Sequence, residues 1–260
     1  MTSSLLKKTR KINMLLQRAG GEPIEFSKLA EAFGDNVEAN CYVLNKKGKL
    51  MGSYLVDRVE LEALDKIESE GYIGDDFNHH LLQFNETEFL EKSDDKKCYF
   101  DDVTECPFNH RFLAVVPIKG RGERQGTLLF TRSDQNFTDE DAILSEYGAT
   151  VIALEIFRLK NEALEEETRK REAVQIAVDT LSFSEIAAMK KIFENLEGDE
   201  GYLVASKIAD EARITRSVIV NALRKLESAG VIQSRSLGMK GTYIKILNDQ
   251  LKEEFERRDM

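Results

Sequence analysis

Apolar positions recur along this chain at two spacings. In the first half, Leu5, Ile12, Leu15 and Leu16 fall on a helical repeat and predict a helix over Leu5–Arg18. Its lysines and Arg10 leave two readings open, a dimer or DNA contact and a surface helix covering a sheet edge. Gly20-Gly21-Glu22-Pro23 breaks the pattern, and Phe26–Phe33 reads as a second short helix. Asn40–Leu44 and Lys49–Leu55 predict strands joined by the turn Asn45-Lys46-Lys47-Gly48. Asp57–Glu68 and Asp75–Gln83 are helical by pattern, with Tyr72 and Ile73 between them expected to be buried. Arg111–Ile118 and Gly126–Arg132 are the strongest strand pair. The Gly-rich stretch Lys119–Gln125 between them lacks the Lys-Ser/Thr of a phosphate loop and reads as a structural turn.

The pattern changes after Phe137. Thr138, followed by Asp139, Glu140 and Asp141, makes a capping-box-like helix start with an acidic first turn. From there to about Leu181 the chain has no Pro and only Gly148. Ile143, Tyr147, Val151 and Leu154 hold an apolar seam, which gives way to Glu, Lys and Arg over Glu162–Glu172. A helix that loses its apolar face midway is expected to span solvent between two domains. Ser182–Glu185 can cap a new helix over Ile186–Leu196, and Gly198-Asp199-Glu200-Gly201 reads as a turn.

The last stretch carries the clearest chemistry. Ser206–Ala212 is a short helix. Beyond Thr215, placed as an N-cap, Ile219, Ala222, Leu223 and Leu226 form a buried stripe at i, i+3, i+4 and i+7. On the opposite face Ser217, Asn221, Arg224 and Ser228 recur at helical spacing. Two short helices with a tight turn make a helix-turn-helix, and strands Val231–Ser236 and Thr242–Leu247 make a wing. Arginine can grip guanine and asparagine adenine, while a free helix start can meet phosphate oxygens. The candidate DNA contacts are Ser206, Lys207, Thr215, Arg216, Ser217, Asn221, Arg224, Lys225, Arg235 and Lys240.

Charge sharpens this reading. Residues 205–245 hold eight Lys/Arg against three Asp/Glu, a net of +5 in a chain of net −10. A basic island in an acidic protein is the footprint of phosphate recognition. Cys41, Cys98 and Cys106 are scattered and odd in number, which suits a reducing cytoplasm. The charged N-terminal run reads as neither signal peptide nor membrane span. His79 and His80 are adjacent on a helix and diverge by about 100°, so they cannot share one metal. The spacing of Cys98, Cys106 and His110 matches no common zinc pattern, and no metal site is expected. No catalytic constellation stands out, so the chain reads as a regulator and not an enzyme.

The runs ITRSVIVNALRKLESAGVI and SRSLGMKGTYIK resemble the CodY family, nutrient-responsive repressors of low-GC Gram-positive bacteria. The likeness extends through KTRKIN, GERQGTL, EYGATV and LEGDEG. It implies an α+β architecture: a GAF-type sensor domain over 1–137, a long interdomain helix over 138–181 and a winged helix-turn-helix over 182–260. It also implies a homodimer that binds double-stranded DNA operators in the cytoplasm. Where the family usually has Gly in the helix-turn-helix turn, this chain has Arg213.

The resemblance further implies two effectors. GTP would lie against Asn45, Lys46, Lys47, Lys49, Glu155 and Lys160, with Asn-Lys-Lys in place of the family's frequent Ser-Arg-Arg. From the residues alone, the lysine-rich turn reads either as a solvated hairpin tip or as a phosphate site. Branched-chain amino acids would sit in an apolar pocket near Arg58, Leu64, Tyr72 and Phe100. Here Asp101 and Asp102 replace the family's Pro and Val, and Arg58 aligns only through a shifted gap, an ungapped alignment placing Ala63 there. Two carboxylates would repel a bound carboxylate, so either Arg58 has moved in to serve and the acids face solvent, or the site is lost or altered in specificity, and the latter is the expectation.

Overall fold

The computed structural model describes residues 4–18, 24–57, 61–92, 98–100, 106–238 and 241–258. The chain forms two compact units, Met1–Lys160 and Asn161–Met260. The first holds helices α1 (Ser4–Arg18), α2 (Phe26–Val37), α3 (Leu61–Glu70) and α4 (Asp75–Gln83), with strands β1 (Asn40–Asn45), β2 (Leu50–Tyr54), β3 (Glu88–Glu91), β4 (Phe112–Gly120) and β5 (Glu123–Arg132). These strands make one antiparallel sheet in the order β2-β1-β5-β4-β3.

Register explains the sequence pattern. Cys41 opposes Phe130 and Val43 opposes Leu128, and all four belong to the core formed with Leu29 and Phe33 of α2. The alternate positions Tyr42, Leu44, Leu113, Val115 and Leu129 pack with Phe77, Leu81 and Phe108 in a separate core. Side chains alternate across a strand, so a sheet covered on both faces reads as continuous apolar runs. Helix α1 contributes Ile12 to the α2 core, and Lys8 and Lys11 pair with Glu38 and Asp35.

Lys119–Gln125 forms the tip of the β4–β5 hairpin, with Arg121 at φ 52° and Gly122 at φ 81°. Two central residues with positive φ are what a tight hairpin turn requires. Arg124 turns inward from it, donating to Thr127 Oγ1 at 2.8 Å and to the carbonyls of Phe84 and Leu81 at the end of α4. Burial pulls this guanidinium down to about 10.

Helix α5 runs from Asp139 to Asp179, and the division between the units falls within it at Lys160. Its start is locked reciprocally: Asp141 accepts from the Thr138 N–H at 3.0 Å and donates its own N–H to Thr138 Oγ1 at 3.3 Å. Arg132 pins the same carboxylate to the end of β5 at 2.7 Å. Ile152 and Ile156 are buried in the first unit and Val174 and Val178 in the second, while residues 160–169 are exposed. Of the expected seam, Val151 is buried and Tyr147 half-buried, but Ile143 and Leu154 are 54% and 65% exposed, because the buried face runs through Leu144, Ile152 and Ile156 instead; the charged stretch beyond Lys160 is exposed as expected.

The second unit adds α6 (Phe183–Glu194), β6 (Glu200–Leu203), α7 (Ala205–Ala212), α8 (Arg216–Ser228), β7 (Ile232–Ser236), β8 (Thr242–Ile246) and α9 (Gln250–Arg257). Its sheet order is β6-β8-β7. Met189, Ile192, Ile208, Ile219, Leu226, Ile244, Leu251 and Phe255 meet in one core.

Several expectations need correction. Tyr72 is 39% exposed; only Ile73 of that pair is buried. The backbone at Tyr72 bridges to Lys49 and the Ile73 N–H reaches Gly48 O, so the two side chains point opposite ways. Helix α2 continues past Phe33 to Val37. Three elements are additional. β3 and β6 are four-residue edge strands starting on Glu, and α9 is a largely polar helix anchored by Leu251 and Phe255. Glu200 and Gly201 are poor strand formers by propensity, yet they pair with Lys245 and Ile244 of β8.

Candidate nucleic-acid interface and effector sites

The turn between α7 and α8 is built on Arg213, whose φ of 54° and ψ of 44° place it in the left-handed region. The Ile214 N–H reaches back to Ala209 O at 3.0 Å and the Arg213 N–H to Asp210 O at 3.3 Å, closing the last turn of α7. Glycine would adopt this conformation without strain; Arg costs about 1–2 kcal/mol. Thr215 then stands at the N-cap of α8 in extended conformation. Its side chain does not cap the helix, but meets Ser217 Oγ at 2.8 Å. The Val218 N–H turns back to Thr215 O at 3.1 Å, so of the first turn of α8 only the Arg216 and Ser217 N–H groups are left for an outside acceptor.

On α8, Ile219, Ala222, Leu223 and Leu226 are buried, and Arg216, Ser217, Asn221 and Arg224 are exposed on the other side. Among the described residues, none accepts from the side chains of Arg216, Asn221 or Arg224, nor from Arg235 on β7. Ser206 and Lys207 are exposed on α7, Lys207 lying 3.9 Å from Glu211. Lys225 is placed differently. Its ammonium donates to Glu185 Oε2 at 2.7 Å and to Thr180 O at 2.9 Å, an internal tie to the start of α6. Lys240 lies outside the described residues. Val220, 40% exposed, sits between Ser217 and Arg224 on the same stripe. Sequence reading passed over it because an apolar residue there looks like core.

In the first unit, Asn45 organises the lysine turn. Its Oδ1 accepts from the Lys47 N–H at 2.8 Å and the Lys49 N–H at 3.0 Å. Gly48, at φ 77°, allows Asn78 of α4 to come close, and a Cβ there would stand 2.9 Å from Asn78 Cγ. Asn78 Nδ2 donates to Lys46 O at 3.3 Å, bracing the turn from behind. Beside this turn lies an open groove of about 360 Å³. Asn45, Lys46, Lys47 and Lys160 supply its polar rim, and Phe26, Met51, Ile156 and Leu159 its apolar floor. Lys160 Nζ donates to Gln125 Oε1 at 2.7 Å, so Gln125 also lines the groove. Glu155 is buried, one oxygen accepting from the Ile24 N–H at 2.9 Å, and Lys49 is exposed at the foot of the turn. Structure thus gathers four of the six candidate nucleotide contacts around one opening. Gln125, Phe26, Met51 and Leu159 went unnoticed, since an apolar floor carries no sequence mark distinct from core.

Comparison with known proteins decides the family. Residues 4–180 match the CodY GAF-like domain and residues 199–258 the CodY helix-turn-helix domain. The chain belongs to the CodY family. It is 51% identical over 256 residues to the global transcriptional regulator CodY of Clostridium botulinum (strain Okra / Type B1), covering 98% of this chain and 99% of that one. It is 49% identical over 247 residues to that of Lysinibacillus sphaericus (strain C3-41), covering 95% of each. Among solved structures it is similar to the cofactor binding GAF domain of the nutrient sensor CodY from Clostridium difficile. That match has 34% identity and a TM-score of 0.40, covering 60% of this chain and 99% of that one.

As a CodY-family chain it is a transcriptional regulator with a GAF sensor domain and a helix-turn-helix DNA-binding domain. Of the amino-acid candidates suggested by the CodY pattern, Arg58 and the Leu64 side chain lie outside the described residues. Tyr72 borders a small hollow of about 150 Å³ with Ile67, Ile73 and Phe77. Phe100 packs among Phe77, His80 and Phe84, stacking on the His80 ring at 4.9 Å between centroids. Among the described residues no helix is long and apolar enough to cross a membrane, and no group of three His, Cys, Asp or Glu gathers as a metal site.

Proposed function

We propose that this CodY-family chain represses transcription as a cytoplasmic homodimer that seats α8 in the DNA major groove. The observation that carries this is the α8 stripe, where Arg216, Ser217, Asn221 and Arg224 are exposed above a fully buried opposite face. In this reading Arg216 and Arg224 read guanine through O6 and N7, and Asn221 reads adenine. The uncapped start of α8 and Arg235 meet backbone phosphates. Each module covers a short half-site, so a two-fold protein on a two-fold operator fits the geometry. Lys225 has no part in this face, because its charge is already answered by Glu185.

We also infer that GTP occupies the groove beside Asn45–Lys47 and raises DNA affinity. Lysines 46, 47 and 160 answer phosphates as point charges, and the apolar floor takes the base. Glu155 would meet a guanine N–H edge through the oxygen not turned to Ile24. With lysine in place of arginine, bidentate grip on phosphate is absent, and binding is expected to be weak. The amino-acid site is read as lost or changed in specificity. Fluorescence anisotropy on an operator-containing duplex at fixed salt, with and without GTP and with and without isoleucine, tests the whole reading. Stronger binding with GTP supports it. No sequence-specific binding, or no response at millimolar GTP, removes it.

A further inference from the structure

Among the apolar side chains of α8, Ile219, Ala222, Leu223 and Leu226 are buried in the core of the second unit, and Val218 packs against it. Val220 does neither. It is 40% exposed and takes no part in that core. A β-branched residue is a poorer helix former than alanine, and on an open helix surface it gains no packing in return. Folding therefore gives no reason for a valine at this position.

Its neighbours supply one. Arg216 and Arg224 lie one turn to either side, at i−4 and i+4, so the three side chains form a column on the exposed face. Successive members stand about 6 Å apart along the helix axis. Asn221 and Ser217 flank the column, the Ser217 hydroxyl already joined to Thr215 Oγ1 at 2.8 Å. An apolar protein partner seated on Val220 would strip water from both guanidiniums without answering their charge. The DNA major groove answers all three. Guanine presents acceptors at O6 and N7, and thymine presents an apolar C5-methyl group among these polar edges.

We propose that Val220 reads thymine, its methyl groups packing on the C5-methyl of a thymine between the base pairs met by Arg216 and Arg224. This rests on the reading that α8 lies in the major groove, and it adds a base that the polar residues specify poorly. Thymine O4 and guanine O6 are both acceptors, so a donor alone does not separate them. A methyl contact does, and it also sets thymine apart from cytosine, whose C5 carries only hydrogen. Taking one methyl group out of water is worth about fourfold in affinity.

The test removes that methyl and nothing else. A duplex enriched from random DNA by the full chain is resynthesised with deoxyuridine in place of thymidine, one position at a time. Binding is read by fluorescence anisotropy at fixed salt. The unsubstituted chain should lose about fourfold at one thymine of each half-site. Val220→Ala should bind the thymidine duplex about as weakly as the parent chain binds the deoxyuridine one, and the same deoxyuridine should cost this variant nothing. Its melting temperature should equal or exceed that of the parent, because alanine is the better helix former. Equal parental affinity with deoxyuridine at every position overturns the proposal, while sequence-specific binding of the thymidine duplex still leaves α8 in the groove. A penalty that persists in Val220→Ala gives the methyl to another residue and overturns it as well. A clear drop in the melting temperature of Val220→Ala would make the valine a packing residue instead. If no sequence is enriched at all, the groove reading falls and this proposal falls with it.

Discussion

Lys225 Nζ lies 2.7 Å from Glu185 Oε2, and the same carboxylate oxygen accepts from the Ser182 N–H, 2.7 Å away. Ser182 Oγ in turn accepts from the Glu185 N–H at 3.4 Å, completing a reciprocal cap on α6. One buried carboxylate therefore starts α6 and ties it to α8. Burial alone would push the Glu185 carboxyl up, but the bonds from Lys225 and Ser182 outweigh it and hold it below the ordinary range. A carboxyl lowered in the folded state stabilises above its unfolded value of about 4.3 and loses that contribution as pH falls through the lower folded value. Glu185→Gln should cost about 1–2 kcal/mol at neutral pH, a lost cap bond plus a half-exposed ion pair. The difference from the parent should shrink as pH falls below about 4. Urea midpoints measured across that range check both the size and the sign.

Arg213 offers a change in the opposite direction. At φ 54° and ψ 44° the residue is in a conformation that glycine adopts freely. Arg213→Gly should stabilise the chain by about 1 kcal/mol, the relief of left-handed strain less the extra entropy of an unfolded glycine. Thermal unfolding would register it. A decrease in stability would mean that the arginine side chain makes a contact worth more than the strain.

Asn221 separates base reading from backbone binding. Asn221→Ala should cost about 1–3 kcal/mol on the preferred operator and relax base preference at one position. Arg235→Ala should weaken all sequences alike and reduce the salt slope by about 1. Binding titrations over a salt series distinguish the two. If Asn221→Ala leaves affinity and preference untouched, α8 does not read bases through this stripe.

Lys46 and Lys47 flank the groove on a turn whose shape depends on Asn45 and Asn78, not on the lysines themselves. The double substitution Lys46→Ala/Lys47→Ala should therefore leave the fold intact. It should weaken GTP binding roughly tenfold or more, about 1.4 kcal/mol or above. Calorimetry checks the affinity and circular dichroism the fold. Unchanged GTP affinity would place the nucleotide elsewhere.

The elements were largely legible because secondary structure leaves a local periodic trace. Ile219, Ala222, Leu223 and Leu226 mark a buried helical stripe by spacing alone, and all four are buried. The run of Glu, Lys and Arg over Glu162–Glu172 marked the exposed stretch of α5, while Ile143 and Leu154, read as seam, lie exposed beside the buried face of Leu144, Ile152 and Ile156. Elements without such a trace escaped: β6 begins Glu-Gly and becomes a strand only because β8 presents an open edge. Tyr72 looked apolar enough to bury, but the bridge of its backbone to Lys49 turned it outward.

What the sequence by itself determined is thus the periodic elements other than β3, β6 and α9, the basic α8 surface and the family. Each rests on neighbours in the chain, where spacing converts directly into a shared face. Only the tertiary structure decided which polar groups are already engaged. Lys225 and Arg224 are adjacent and alike in charge, yet one is held by Glu185 from forty residues away and the other stands exposed. Lys46 and Lys160 share an opening because β1 and α5 both pack on β5. Lys92 and Cys106 meet at the Phe108 carbonyl, a contact that only the folded chain brings about. Electrostatic and hydrogen-bonding partners are chosen by distance in space, and only the packed chain sets that distance.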